Sequence, residues 1–185
     1  MKNKQEQTNA WLPSGYEPPK QGGRYMKLAD GENRIRILAQ PIVGWLDWED
    51  NKPVRFKMEN KPLAPLNPDK SVKHFWAMVV WNCTEGSLQI LEITQVSIQR
   101  RIAALSQDAD WGDPSKYDIK INRAGKGMDT EYTVSPVPHK ELSQEIIDAF
   151  TDTPINLEAL YNGGDPFAVE APKEKAFAGK RKPNF

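Results

Sequence analysis

Basic side chains alternate with apolar ones along two short stretches of this sequence. In the first, Arg34 and Arg36 alternate with isoleucines, and in the second, Arg55 and Lys57 alternate with a valine and a phenylalanine. Side chains on a β-strand point alternately to its two faces, so each basic pair is predicted to share one face while the apolar residues enter a core. Rows of guanidinium and ammonium groups of this kind bind polyanions such as a phosphate backbone.

Tryptophan accompanies these cations. Trp45 and Trp48 lie between the two basic pairs, and Trp76 and Trp81 lie on a later apolar stretch. The members of each pair are an odd number of residues apart, so on a regular strand one faces the core and the other does not, and the pattern leaves open which. An exposed indole stacks on any base, which is worth about 1–3 kcal/mol. Rings beside cations therefore indicate a sequence-tolerant site for single-stranded nucleic acid.

The predicted nucleic-acid-binding residues are placed on one face of a barrel. The central ones are Arg34, Arg36, Trp45, Trp48, Arg55 and Lys57, with Lys73, Trp76, Lys120 and Arg123 at the margins. Each also has an ordinary structural interpretation. An exposed Arg on a strand is usually only solvated, and an aromatic ring is more often packed than in contact with a ligand.

Strands dominate the elements that must position these residues. Period-two alternation or apolar runs predict strands over 33–38, 44–48, 54–57, 73–82, 88–94, 117–121 and 132–134, with a Pro-rich loop over 58–72. Helical spacing predicts an amphipathic helix over 95–107, a second from about His139, and a short third over 157–161. The fold class is therefore mainly β with added helices (α+β). The strand order favours an OB-like β-barrel with one inserted helix and C-terminal helices. Tyr117 is expected in the core, and Trp111 is expected to anchor the first helix.

Composition divides the chain into a domain and two arms. Residues 1–24 and 169–185 are polar and rich in Pro, Gly and Lys, which predicts flexible extensions around a domain over 25–168. The formal net charge is zero, but His139 to Pro166 is acidic and the end of the chain is basic. The sequence shows no run of about 20 apolar residues and no signal peptide, and it holds a single Cys83. These features predict a reducing, cytoplasmic setting without membrane insertion.

Enzymatic signatures are weak in this sequence. The glycines do not have the spacing of a phosphate-binding loop, and His74 and His139 with one Cys do not form a zinc set. The carboxylates around Trp111 are placed as helix caps and turns are. We therefore expect no catalytic residue, no metal and no cofactor.

Three blocks of the sequence resemble bacteriophage single-stranded-DNA-binding proteins. They are YMKL followed by DGENRIRIL, KHFWAMVVWN followed by LQILEITQVSIQRRIAAL, and DWGDPSKYDIKINRAGKGMDTEYTVSP, together spanning about residues 25–138. The resemblance implies an OB-fold core, binding of single-stranded DNA with little sequence preference, and a role in phage replication, recombination or repair. It also implies the cytoplasm of an infected bacterial host as the location.

A more distant similarity, to the helix-destabilising proteins of T-even phages, comes with two departures. Those proteins hold a structural zinc through Cys and His, and this chain lacks the ligands. Many single-strand binders end in an acidic recruiting tail, whereas this chain ends in the basic sequence GKRKPNF. The expected partners are single-stranded DNA, replication or recombination proteins of the phage, and further copies of the chain on DNA. The alternative function is a protein–protein adaptor of a phage replisome that works through the acidic helices at 139–161.

Overall fold

The computed structural model describes residues 23–168, which form one mixed sheet with a few helices. The strands are β1 (Tyr25–Met26), β2 (Gly31–Ile37), β3 (Ile42–Glu49), β4 (Lys52–Lys57), β5 (Lys73–Asn82), β6 (Ser87–Ile93), β7 (Asp118–Ala124) and β8 (Glu131–Pro136). The helices are α1 (Val96–Gln107) and α2 (Gln144–Asp152), and the longest 3₁₀ helix is Leu157–Asn162. The predicted α+β class and the order of elements are confirmed.

Strand β5 is the centre of the sheet because it is paired along both edges. One edge carries β6, in antiparallel register from Trp76↔Ile93 to Asn82↔Ser87. The other edge carries both β2 and β3, also antiparallel, with Ile37 opposite Val80 and Ile42 opposite Ala77. Strands β2 and β3 thus form one long, interrupted strand. Beyond it the sheet divides, since β7 and β8 continue from β2 whereas β4 continues from β3.

The sheet is not closed, so the predicted barrel is not confirmed. Along the described chain the strand path runs from β1 at one end to β8 at the other, and these two strands are not paired with each other. Strand β4 is a second end, paired only with β3. The division beyond β2 and β3 separates the two outer parts of the sheet, which a closed barrel would have to join.

Two cores lie on the two faces of the sheet. On the face covered by α1, the buried residues include Ile35, Met78, Ile98 and Ile119, and Tyr117 is fully buried there as predicted. On the opposite face, buried residues from β3, β5 and β6 pack against the 3₁₀ helix Leu157–Asn162. Strand β5 is therefore buried on both sides, which explains its nearly continuous apolar sequence.

Two local predictions are corrected or completed by the structure. The second helix was predicted from about His139 but begins at Gln144, because residues 137–143 form no regular element and Ser143 is the N-cap. The turn between β3 and β4 has positive φ at both Asp50 and Asn51, as a tight two-residue hairpin requires.

The predicted domain over 25–168 lies within the described residues 23–168, and its bounds stay a prediction. The predicted arm over 1–24, except Gly23 and Arg24, and the predicted tail over 169–185 lie outside the described residues.

Candidate nucleic-acid interface

A row of half-buried aromatic rings lies on the α1 face of the sheet, where β3 and β5 meet. Trp45 of β3 is directly opposite His74 of β5, and their ring centroids are 5.3 Å apart. Trp76 follows two residues after His74, so its side chain lies on the same face. The three rings are partly exposed. A strand of bases could stack along this aromatic row, which we define as Trp45, His74 and Trp76.

Hydrogen bonds hold the rings of the aromatic row in place. Nδ1 of His74 donates to the carbonyl oxygen of Gly44 at 2.8 Å, and Nε1 of Trp76 donates to Nε2 of His74 at 3.1 Å. A carbonyl only accepts and an indole N–H only donates, so the partners assign His74 as the neutral tautomer with its proton on Nδ1. A side chain at position 44 would overlap the carbonyl oxygen of Phe56, so the close approach of β3 and β4 at this position needs glycine.

The loop between β4 and β5, residues 58–72, places an ammonium group over each of two indoles. Nζ of Lys61 lies 4.4 Å from the ring centroid of Trp45, and Nζ of Lys70 lies 4.6 Å from that of Trp48. The indole nitrogen of Trp45 donates to the carbonyl oxygen of Met58 at 3.1 Å, at the start of the same loop. At Trp45 and at Trp48, a cation and an aromatic surface on which a base can stack therefore lie side by side.

Asp47 fixes this loop to the sheet. Its side chain is fully buried, its Oδ1 accepts from the backbone N–H of Trp48, and its Oδ2 accepts from the backbone N–H of Leu66 at 2.9 Å. A buried carboxylate is costly unless it is hydrogen-bonded, and the bond from Leu66 ties the loop to β3.

Arg34 and Arg36 share one carboxylate. Nε of Arg34 donates to Oδ2 of Asp118 at 2.8 Å, and Nε of Arg36 donates to Oδ1 at 2.7 Å. The hydrogen bond that Arg34 donates to Asp118 raises the pKa of Arg34 above its ordinary value. The side chain of Arg36 is only 3% exposed, whereas that of Arg34 is 37% exposed. Arg36 therefore has almost no surface to offer to a phosphate.

Four more of the predicted cations also have carboxylate partners. Arg55 binds Glu92 at 2.6 Å and is mostly buried, and the longer or more exposed pairs are Lys57–Glu158, Lys120–Glu32 and Arg123–Asp30. Exposed pairs of this kind contribute little to stability and exchange partners easily. Lys73 is exposed, and no carboxylate of residues 23–168 lies within 4.0 Å of its ammonium group.

The predicted residues do not share one face. Trp45, Trp76 and Arg123 lie on the α1 face. The opposite face carries Arg34, Arg36, Trp48, Arg55, Lys57, Lys73 and Lys120. The single-face arrangement is wrong because alternation relates residues only within one strand, whereas the register between strands decides which rows coincide. Whether each residue contacts nucleic acid stays a prediction.

The sequence reasoning did separate the members of each tryptophan pair. Trp45 and Trp48 lie on opposite faces, and so do Trp76 and Trp81, of which Trp81 is 7% exposed. Trp111 packs against Tyr117 and stacks on the ring of His139, and its expected role as an anchor of α1 stays a prediction.

Three residues of the candidate interface were not predicted from the sequence. They are His74, Lys61 and Lys70. His74 had a readable signal, because it precedes Trp76 by two residues on a predicted strand and so shares its face. The two lysines had none, since no local pattern shows where a 15-residue loop folds back.

No helix within residues 23–168 is both long enough and apolar enough to cross a bilayer. In the same residues no cluster of three His, Cys, Asp or Glu side chains is arranged to hold a metal ion.

A comparison with known proteins finds one similarity to a phage protein. The chain is 22% identical, over 153 aligned residues, to a protein of Escherichia phage T5 that is named "Probable ssDNA-binding protein". The alignment covers 67% of this chain and 59% of the phage T5 protein, so the chain spans less than two thirds of that relative. This likeness supports the resemblance to phage single-stranded-DNA-binding proteins. No family model matches the chain, and no solved structure matches it.

Proposed function

We propose that this protein binds single-stranded DNA without sequence preference and catalyses no reaction. The observation that carries the proposal is the aromatic row of Trp45, His74 and Trp76 with the ammonium group of Lys61 above its first ring. The similarity to the phage T5 protein supports single-stranded DNA as the ligand. Stacking uses the face that every base has, and a lysine binds any phosphate, so neither contact reads sequence.

Binding replaces a cation with a base at Trp45. An exposed cation–π contact is worth about 0.5–1 kcal/mol, whereas stacking a base on an aromatic side chain is worth about 1–3 kcal/mol. An incoming base therefore displaces Lys61 from the ring face. The ammonium group then remains beside the bound nucleotide, where it neutralises a phosphate. Lys70 and Trp48 repeat the arrangement on the other side of the β3–β4 hairpin.

The wider role follows from the same proposal. A sequence-independent binder of this type protects and organises single strands during phage replication, recombination or repair, in the cytoplasm of the infected host. The OB-fold and the relation to T-even proteins stay predictions, supported by one long strand that runs along β5 and by a helix inserted between β6 and β7. Phage replication proteins and neighbouring copies of the chain are its proposed protein partners.

Tryptophan fluorescence during titration with unlabelled oligo-dT tests the proposal. Stacking should quench the emission strongly, and the quenching should be reversed by salt, because each phosphate contact on a single strand contributes about −0.7 to the slope of log K against log salt. Absence of quenching and of binding at low salt would contradict it. Reversal of charge at Lys61 and Lys70 should weaken oligo-dT binding, because it removes the proposed phosphate contacts. The same change at Arg34 and Arg36 would disturb the buried pair with Asp118 instead.

A second candidate, the protein–protein adaptor, is favoured by one observation on α2. None of its residues is buried, and its apolar side chains Ile147 and Phe150 are 41% and 36% exposed beside Glu145 and Asp148. Replacement of Ile147 and Phe150 by serine separates the two functions. Oligo-dT affinity should not change if the aromatic row is the interface, whereas an adaptor would lose its protein partner.

A further inference from the structure

A groove of about 510 Å³ opens between α1 and the connection from β2 to β3, and Trp76 belongs to its wall. This volume falls within the range of about 300–1,000 Å³ that is typical of small-molecule sites. The remaining wall is largely apolar, with Leu38 and Pro41 on one side and Ile102 and Ala103 on the other. Because Trp76 is a member of both, the groove continues directly from the aromatic row.

A bulge in the long strand creates this groove. Leu38 still donates its backbone N–H to the carbonyl of Val79, and pairing resumes with Ile42 opposite Ala77. Residues 39–41 therefore stand opposite the single residue Met78, which lines the base of the groove. The extra residues move the chain outward, and Pro41 has no N–H with which to close the gap.

The groove lining also includes polar residues, one of which carries a negative charge. They are Gln40, Ser106, Asp113 and Ser115. Oδ1 of Asp113 accepts the backbone N–H of Ser115 at 2.9 Å, and this bond, with a second one from the Ser115 hydroxyl, lowers the pKa of Asp113. The carboxylate is consequently ionised at neutral pH. An ionised carboxylate repels phosphate. It attracts ligand groups that donate hydrogen bonds and repels those that only accept them.

These features select one part of a nucleotide. A base has flat apolar faces that suit Leu38, Ile102 and Trp76, and a polar edge that suits the polar residues of the lining. A phosphate is excluded by the charge of Asp113. Cytosine presents an amino donor on its edge, whereas thymine presents two carbonyl oxygens around its single N–H, and carbonyl oxygens repel a carboxylate.

We propose that this groove holds one unstacked nucleobase of the bound strand, preferentially a base with an exocyclic amino group, whose donor faces Asp113. The inference rests on the proposed function, because it extends the path of the strand from Trp45 past Trp76 into the groove. It adds a base-reading position at the end of an otherwise sequence-tolerant site. Since a strand slides until a suitable base reaches the groove, a single cytosine in a thymine run is enough to reveal the position.

Two oligonucleotides of equal length, oligo-dT and oligo-dT with one central dC, form the test. The wild-type protein should bind the dC oligonucleotide about fivefold more tightly, at the lower end of what one good base contact contributes. Asp113→Ala removes the acceptor and should lower the affinity for the dC oligonucleotide to that for oligo-dT. Asp110→Ala is the matched control, since Asp110 is also exposed and does not line the groove.

Filling the groove gives an independent check. Ala103→Phe should abolish the preference and weaken binding of the dC oligonucleotide to the oligo-dT level or below. Ala104→Phe, one residue further on α1 and outside the groove, should behave like the wild type. If Ala103→Phe lowers the melting temperature, Gln40→Trp narrows the groove from the exposed connection instead.

The outcomes separate the two proposals. Equal wild-type affinity for the two oligonucleotides, or a preference that survives Ala103→Phe, would overturn the base-reading groove and leave single-strand binding in place. Failure of the wild type to bind either oligonucleotide at low salt would overturn the proposed function and the groove with it.

Discussion

The indole N–H of Trp76 donates to Nε2 of His74, two residues earlier on the same strand, at 3.1 Å. This bond ties the orientation of one ring to the other, and His74 in turn is 5.3 Å from Trp45. A stacking surface whose rings are held in place before binding loses little conformational entropy when a base arrives. The aromatic row is therefore pre-organised by hydrogen bonds of its own members.

Loss of either tryptophan of the aromatic row should weaken DNA binding. Trp45→Ala or Trp76→Ala is expected to lower oligo-dT affinity about 5- to 150-fold, since each removes stacking worth about 1–3 kcal/mol. Fluorescence anisotropy of a labelled oligo-dT measures the change. Tyr25→Leu is the control, because Tyr25 is an exposed ring on β1, which pairs at the far edge of β6. An equal loss in the control would assign the effect to something other than the row.

The loop lysines should set the salt dependence of binding. Lys61→Ala and Lys70→Ala are each expected to reduce the slope of log K against log salt by about 0.7, the value for one phosphate contact on a single strand. Titrations at several salt concentrations measure the slope. Lys126→Ala, at an exposed position between β7 and β8, should leave it unchanged. An unchanged slope in both loop variants would remove these lysines from the interface.

Asp118 should matter for folding stability. Asp118→Ala leaves Arg36 buried without its carboxylate partner and also frees Arg34. Removing one partner of a buried ion pair costs about 3–5 kcal/mol in the free energy of unfolding. Because Arg34 is partly exposed, we expect a loss near the lower end of this range. Urea denaturation measures it. Glu32→Ala, which removes the exposed partner of Lys120, should change the free energy of unfolding by less than about 1 kcal/mol.

Asp47 should hold the lysine-bearing loop in position. Asp47→Ala removes the acceptor for the N–H of Leu66 and is expected to release residues 58–72 from β3. Limited trypsin digestion should then cut after Lys70 faster than in the wild type, and oligo-dT affinity should fall. Asp69→Ala is the control, since Asp69 lies in the same loop but is exposed. Equal cleavage of all three proteins would show that Asp47 does not anchor the loop.

The thiol of Cys83 should react slowly at mildly alkaline pH. Burial raises the pKa of Cys83, with Asp118 adding to the shift and Arg34 opposing it. The folded protein therefore holds less thiolate than an ordinary cysteine at the same pH, and the thiolate is the reactive form. Because the folded pKa is raised, this group's contribution to stability is full below the unfolded pKa and is lost as pH rises through the folded pKa. Reaction with a chromogenic disulfide at pH 8, before and after addition of denaturant, measures the difference. Equal rates would contradict the burial of the thiol.

Local residue patterns alone determined most of the secondary structure. The run from Lys73 to Asn82 was predicted as a strand with the bounds that the structure has, and α1 within one residue, because hydrophobic periodicity is a property of neighbouring residues. The odd spacing of Trp45 and Trp48 likewise determined that they lie on opposite faces. The start of α2 was missed since the residues after Pro138, which form no regular element, carry no periodicity to mark it.

Only the tertiary structure decided which side chains meet. Whether Arg36 is a free cation depends on Asp118, which lies 82 residues away in sequence and reaches it through the register of β2 with β7. The ammonium of Lys61 over Trp45 depends on a loop that Asp47 fixes. The groove beside Trp76 depends on a bulge opposite Met78. Ion pairs, cation–π contacts and cavities all join residues that are distant along the chain. No local pattern of the sequence encodes them, because they depend on the register of the strands and on how the loops fold back.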